Sequence, residues 1–565
     1  MSPKTSAPPN DNLMLPTSSS SPVSSFTYPP SPSPACEQKR GTSKEEDEKA
    51  RAEIYTTEAS REDNGTEYGG RGKQVDEEGH LQRHLKTRHV QMISIGGVIG
   101  TGLFLGTARS LSEGGPLGLL LGYTVMSSVC IGVMICLGEL VTYLPVPGGQ
   151  VTLAGRFVDP ALSFALGWNY WYCFAITLPG ELSAASVIVS YWNKTINSGV
   201  WITIFLLVVV VINFLGTRSF GECEFWFASI KVATIVGLII LGLVIDLGGA
   251  PNHDRLGFRY WRTPGPFVQF AGIGGAKGQF LGFWSVLIQA AYAFIGTEIL
   301  GMTAAETQNP RRNLPRAIRT VYWRISLFYI VGVFILGLIC PSNAPSLTSG
   351  LGTAASSAWV IAIKMATIKA LPSIINAALL TSAWSAGSSD LYTSSRALYG
   401  LAVNGHAPRF LRIVDRRGTP YPSLIVCSVF GALAYTGVSA GSSRTFNYFS
   451  NMSSVAGIIN WMGICIAALR FRRGLKAQGF GLEILPYKSP LMPYIGWWSL
   501  SWILVIIIFA KWDVFIKGRW DTGSFISTYL PIPFFVVMFV GYKFWKKTKV
   551  VSLKEMDLVS GVSDA

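Results

Sequence analysis

The sequence predicts an all-α integral membrane protein of about twelve transmembrane helices. Three observations lead there. Only 14% of the 565 residues are charged, while 49% are hydrophobic. The mean hydropathy is +0.36, whereas an ordinary soluble domain carries about 25% charged residues. Beyond His89 the chain is a series of apolar runs of about 20 residues, the length a helix needs to cross a ~30 Å hydrocarbon core. Finally, the net charge of +15 sits on the apolar body rather than on a polar domain.

The first 88 residues hold 12 basic and 14 acidic side chains. Residues 16–34 are mostly Pro, Ser and Thr, and a mixed-charge run from Glu37 to Glu78 follows. Such a segment buries too little apolar surface to offset its ordering entropy. It has no basic start followed by an apolar core, so it does not read as a signal peptide. The organisation expected is a disordered cytosolic tail over 1–88, a transporter domain over 89–547 and a cytosolic C-terminal tail over 548–565.

Twelve spans are expected near 90–111, 117–143, 162–191, 200–216, 226–248, 279–304, 320–340, 358–387, 422–439, 447–469, 494–515 and 527–546. An even number puts both termini on one side. With that side cytosolic, inner loops receive clusters such as Arg311, Arg312, Arg316 and Arg319, or Arg470, Arg472, Arg473 and Lys476. Outer loops are poor in basic residues, except 249–278. The asymmetry follows the positive-inside rule, so the basic excess reads as orientation, not as affinity for nucleic acid.

Two spans are interrupted by glycine. The first contains Gly96, Gly97, Gly100 and Gly102, each weakening a helix by about 1 kcal/mol relative to Ala. Small-xxx-small spacing also suits close helix packing. The sixth contains Ile295-Gly296-Thr297-Glu298, echoing Ile99-Gly100-Thr101-Gly102 five spans earlier. Glycine-broken spans at corresponding places in two halves point to the binding site of an inverted-repeat transporter. Freed N–H groups at a half-helix start suit a carboxylate and freed carbonyls at a half-helix end suit an ammonium, so one pocket offering both matches a zwitterionic amino acid.

Ionisable residues deep in spans are few: Glu181, Lys231, Glu298, Lys369 and Asp390, with Glu139 and Glu306 nearer the inner ends. An intramembrane charge is costly unless paired or hydrated, which makes function the default reading. Structural pairing or capping stays open for Lys369 and Asp390, and snorkelling for Lys231. His80, His84 and His89 have helical spacing, but no Cys or carboxylate cluster completes a metal site. A P-loop, a voltage-sensor helix and a catalytic His are also missing from the spans, which disfavours an ATP-driven pump, a channel and an intramembrane enzyme.

The motifs Arg83-His84-Leu85-Lys86 before Gly96-to-Gly102, Gly138-Glu139 before Pro145, and Glu224-Phe225-Trp226 before Lys231 are distinctive. So are Phe294-to-Glu298 before Asn309-Pro310-Arg311, Ser389-Asp390-Leu391-Tyr392, and Leu485-Pro486-Tyr487-Lys488. With these the chain resembles the fungal amino-acid permeases of the amino acid–polyamine–organocation superfamily, from about Leu85 to Gly561. The resemblance implies a LeuT-like fold, with helices one to five inverted over six to ten plus two peripheral helices. It implies proton symport of amino acids at the plasma membrane and no cofactor.

By motif, the backbone of Gly97, Ile99, Gly100, Thr101 and Gly102 would hold the substrate carboxylate. The carbonyls of Phe294, Ile295 and Gly296, beside Thr297, would hold the amine. Lys231 matches a fifth-helix Lys that replaces a coupling sodium in related transporters, and Glu181 and Glu298 are the proton-coupling candidates. Asn451, Ser453 and Ser454 on the tenth span would border the side-chain pocket. The stretch around Asn447 is similar to proline and dicarboxylic amino-acid permeases, leaving a neutral or acidic range open. Expected partners are an amino acid, a proton and the bilayer, with no nucleic acid. Lys and Ser residues of the N-terminal tail offer sites to a ubiquitin ligase or trafficking machinery. The rival reading is an amino-acid sensor on the same fold.

Overall fold

The computed structural model describes residues 99–302, 304, 310–348, 357–415 and 418–560. The N-terminal tail, Gly97, the three tail histidines and Glu306 lie outside them. Described residues form helices and connecting loops. We number the helices α1 (102–114), α2 (116–143), α3 (Gly149–Phe157), α4 (Pro160–Val189), α5 (Ser198–Phe214), α6 (Thr217–Asp246), α7 (Gly275–Phe294) and α8 (Ile299–Met302). They continue with α9 (Pro310–Ile339), α10 (Ala358–Met365), α11 (Leu371–Val403), α12 (Tyr421–Ala440), α13 (Ser442–Ala477), α14 (Tyr494–Ile508) and α15 (Thr522–Lys546).

Twelve spans result when α7 and α8 are taken as one and the short α3 and α10 are set aside. Helices α1 and α2 run on without a loop, but Gly115 turns the chain at φ 73° and Pro116 starts the next helix. The expected eighth span at 358–387 is a correction. The apolar run Ala358–Met365 is a separate short helix, and the membrane helix starts only at Leu371. Lys369 lies in the connection between them, exposed, and is not an intramembrane charge.

Burial sorts the helices. Helix α4 is almost wholly enclosed, and its start is fixed by Asp159, which accepts from the Ala161 N–H at 2.8 Å, and by Pro160 in the first turn. Helix α4 packs along α11 and α13, while α1 and α2 pack along α7. Spans one and six are thus neighbours, as are spans three and eight. An offset of five spans reverses chain direction, so these pairings are those of two inverted five-helix halves. The outer helices α5, α6, α12, α14 and α15 turn Leu207, Ile240, Val429, Ile508 and Val537 outward. Outward apolar side chains are what lipid solvates and water does not.

One end of the bundle is stitched by polar contacts. Arg472 on α13 grips the fully buried Glu139 of α2 with two N–H···O bonds, 2.6 and 2.7 Å long, and the Ser489 N–H adds a third at 3.0 Å. Lys543 and Thr548 both donate to Asp159. Burial pushes the Asp159 carboxyl up, but the Lys543 ammonium, the Ala161 N–H and the Thr548 hydroxyl outweigh it and hold it below the usual carboxylate range.

The chain after α15 then runs across the same end as a strap. The Val551 N–H bonds to the Val158 carbonyl at 2.9 Å, Tyr143 donates to the Leu558 carbonyl at 3.0 Å, and Gln478 donates to the Met556 carbonyl at 2.7 Å. Arg156 adds an ion pair to Asp557 at 2.8 Å, and Met556 and Leu558 are buried.

Candidate functional site

The described part of span one opens without helix at Ile99 and Gly100, and α1 begins with a wide π-type turn over Gly102–Gly106. Ser382 of α11 donates to the Ile99 carbonyl at 3.2 Å, anchoring the unwound stretch. Glycine at 102 is needed for approach: a Cβ there would lie 2.7 Å from Ala293 Cα. The start of α1 and the end of α7 therefore touch through backbone.

Span six breaks one residue after that contact. Helix α7 ends at Phe294, Ile295 is extended (φ −61°, ψ 141°), and Gly296 takes φ 98°, a conformation that costs only glycine little. Helix α8 resumes at Ile299. The freed groups are partly used locally. The Phe294 carbonyl accepts from the Thr297 N–H at 3.3 Å and hydroxyl at 3.0 Å, and the Gly296 carbonyl accepts from the Ile299 N–H at 3.1 Å. Glu298 folds back on its own break. One carboxylate oxygen accepts from the Gly296 N–H at 3.1 Å and the Trp461 indole at 3.0 Å, while the other, Oε1, is buried without a partner.

Glu181, in the last third of α4, is where the two broken spans meet. Its Oε1 accepts from the Thr101 hydroxyl at 2.7 Å and from the Tyr292 hydroxyl at 2.9 Å, and its Oε2 is buried with no partner. The carboxyl borders a small cavity of ≈ 40 Å³, shared with Gly100, Gly102, Ile295, Gly296, Ser389 and Asp390. Gly100, Gly102, Ile295 and Gly296 thus surround one space with Glu181. Phe294 does not reach it with its side chain, which stacks on Tyr329 at 4.5 Å between ring centres. Glu298 is absent from the wall of this cavity.

Lys231 is fully buried on α6 and ion-paired with Glu224 at 3.7 Å, and Ser385 of α11 donates to the other Glu224 oxygen at 2.6 Å. The pair sits two helical turns apart on one face, a spacing visible in the sequence once α6 is drawn as a helix.

A wider vestibule of ≈ 420 Å³ opens above, at the end of the bundle opposite the strap. Asn451 and Ser454 line it, with Arg109, Glu113, Gln289 and Phe446. Ser453 points instead into the α4–α13 contact, where it shares a hydrogen bond with Thr177. Tyr292 lines both spaces, and its ring meets Phe446 edge-on at 5.8 Å and 80°. Tyr292 was not picked out of the sequence. Its one visible cue is an aromatic hydroxyl in the last turn before the break.

On the opposite side, Gly301 of α8 is pressed against Leu137 and Gln150, where a Cβ would lie 2.8 Å from Leu137 Cδ1. Tyr292 is the lining residue that the small cavity and the vestibule share.

Comparison with known proteins adds the family. The amino acid permease family model matches residues 89–555. The dicarboxylic amino acid permease of Saccharomyces cerevisiae is 41% identical over 90% of this chain and 84% of its own. The proline-specific permease of the same yeast is 43% identical over 86% of this chain and 80% of its own. The proline-specific permease of Emericella nidulans is 40% identical over 86% of this chain and 90% of its own.

Proposed function

This chain belongs to the amino acid permease family, and from that premise we propose an importer of amino acids at the plasma membrane, driven by proton symport with alternating access. The observation that carries the reading is Glu181, with one oxygen held by both broken spans and the other unpaired against the cavity. Backbone at Gly100 and Gly102 offers donors for the substrate carboxylate, and the Ile295 carbonyl, at the end of α7, is an acceptor for the amine. Glu181 takes and releases the proton. Its two donors serve the charged form, and the unpaired oxygen gives the protonated form a place to donate. Lys231 is held by Glu224, which Ser385 ties to α11, the helix whose Ser382 anchors the unwound stretch, and Glu298 braces the break in span six. The vestibule faces the outside and the strap the cytosol, in agreement with the basic residues on the strap side.

Purified protein in proteoliposomes should accumulate labelled amino acids when the outside is acid, and a protonophore should abolish the accumulation. Accumulation untouched by the protonophore would refute proton coupling. Binding without any flux would make the protein a sensor.

A further inference from the structure

Arg109 and Glu113, one turn apart on α1, are the charged side chains among the described residues lining the vestibule. Their contacts form a chain. Ser110 donates to the Gln289 side-chain carbonyl at 2.8 Å, and the Gln289 amide nitrogen donates to one Glu113 oxygen at 2.6 Å. The other Glu113 oxygen accepts from Arg109 Nε at 2.8 Å. Gln289 lies on α7 one turn before Tyr292, so the chain ties spans one and six above the small cavity. Arg109 uses only Nε in it. Its two terminal nitrogens bond to no described residue, and its side chain is 33% exposed.

A guanidinium held by one edge presents its remaining N–H groups as a fixed fork, the geometry that pairs with a carboxylate. It stays charged at every physiological pH, so this capacity does not depend on titration. The surrounding charges balance. Lys511 lies within electrostatic reach of Glu113 and Asp513 within reach of Arg109, and the two pair with each other at 2.7 Å. Two cations beside two anions attract no simple ion strongly, but they complement a molecule that carries both charges. Asn451 of α13 also lines the vestibule, and its side-chain amide bonds to no described residue. Together with Glu113 it offers oxygens to an ammonium. The volume of ≈ 420 Å³ falls within the range of about 300–1,000 Å³ typical of pockets that enclose a whole small molecule.

We propose that the vestibule is an outer docking site, where the Arg109 fork takes the carboxylate of an amino-acid zwitterion before it passes Tyr292 to the small cavity. Occupancy there is transient, and tight binding belongs to the inner cavity. Arg109 is left behind when the substrate moves inward. It therefore governs how fast the inner cavity fills and empties, not how tightly it holds. The inference rests on the transporter reading above for the direction of travel, whereas the docking itself is a binding event.

The test compares wild type, Arg109→Gln and Arg109→Lys of the full chain, with proline and alanine as ligands. In stopped-flow binding to detergent-purified protein, Arg109→Gln should lower the association rate constant about tenfold. The dissociation rate constant should fall equally and leave Kd unchanged. Arg109→Lys keeps the charge but loses the fork, and should also bind more slowly than wild type. An Arg109→Gln association rate equal to wild type overturns the proposal. So does a change in Kd carried by faster dissociation alone, which is what mere loss of structure would give. Wild type supplies an arm that needs no substitution. Phenylglyoxal, a dicarbonyl that modifies arginine, should label Arg109 in the free protein. Alanine in excess over what fills the inner cavity should slow that labelling, and alaninamide, which has the ammonium without the carboxylate, should not. Labelling of Arg109 untouched by alanine overturns the proposal even when the variants fail to fold. Labelled uptake in proteoliposomes separates the two readings: a wild type that gives the expected binding rates and protection but moves nothing removes the transporter reading and keeps the outer site.

Discussion

The hydroxyl of Tyr292 donates to a carboxylate oxygen of Glu181 at 2.9 Å, across a separation of 111 residues. Thr101 donates to the same oxygen at 2.7 Å. One oxygen is thus fully occupied by the two broken spans while the other is left for the cavity. A change in the protonation of Glu181 is therefore felt at both breaks at once.

Removing the carboxylate should uncouple the protein. Glu181→Gln keeps the shape and both donors but cannot ionise, so proton-driven accumulation should be lost at every pH. Tyr292→Phe keeps the ring against Phe446 and deletes one hydrogen bond, worth about 0.5–1.5 kcal/mol, so affinity should fall by at most about tenfold. Labelled uptake and binding on the two variants check both statements.

Gly102→Val should abolish binding without preventing folding of the outer helices. The new Cβ would lie 2.7 Å from Ala293 Cα and 3.0 Å from the Tyr292 ring, so α1 and α7 must separate at the site itself. Ligand binding to protein recovered at normal yield is the measurement, and unchanged affinity would contradict the packing described.

Arg472→Ala should destabilise strongly, by about 3–5 kcal/mol, because it leaves Glu139 charged and buried. Adding Glu139→Gln should recover part of that loss, since the orphaned charge is gone. Thermal unfolding in detergent of both singles and the double closes the cycle.

Asp159 predicts a pH dependence with a definite sign. Its carboxyl is held below the ordinary range by Lys543, Ala161 and Thr548 despite burial, so its stabilisation is present above about pH 3.9. That stabilisation is lost as pH falls through its lower folded value. Wild type should lose stability as the pH falls below about 4 more steeply than Asp159→Asn, which should itself cost about 1 kcal/mol near neutrality through the lost ion pair with Lys543.

Much of this architecture was legible because hydrocarbon imposes a length, and apolar runs display it directly. The two breaks were legible because Gly100 and Gly296 stand inside such runs. The eighth span was misplaced because Ala358–Ile363 and Leu371 onward are both apolar, and hydropathy averages over Lys364 and Lys369 between them. The site beyond its glycines was harder to see. Glu181 and Asp390 stood out as charges inside apolar runs, but Tyr292 acquires meaning only when three helices, far apart in sequence, set it beside them around one space. Charge counting also mixed two roles: Arg470 and Arg472 read as orientation signals, yet each grips a buried acceptor on a neighbouring segment.

The strap has a practical corollary for anyone handling this protein. Met556 and Leu558 are buried, and Arg156, Gln478 and Tyr143 all bond to main-chain carbonyls of the strap. A fluorescent reporter or affinity tag spliced in before Leu558 would replace those contacts with solvent and loosen the junction of α3, α4 and α13. Labels therefore belong beyond Ser560, on a flexible linker, where they leave the lacing of the bundle undisturbed.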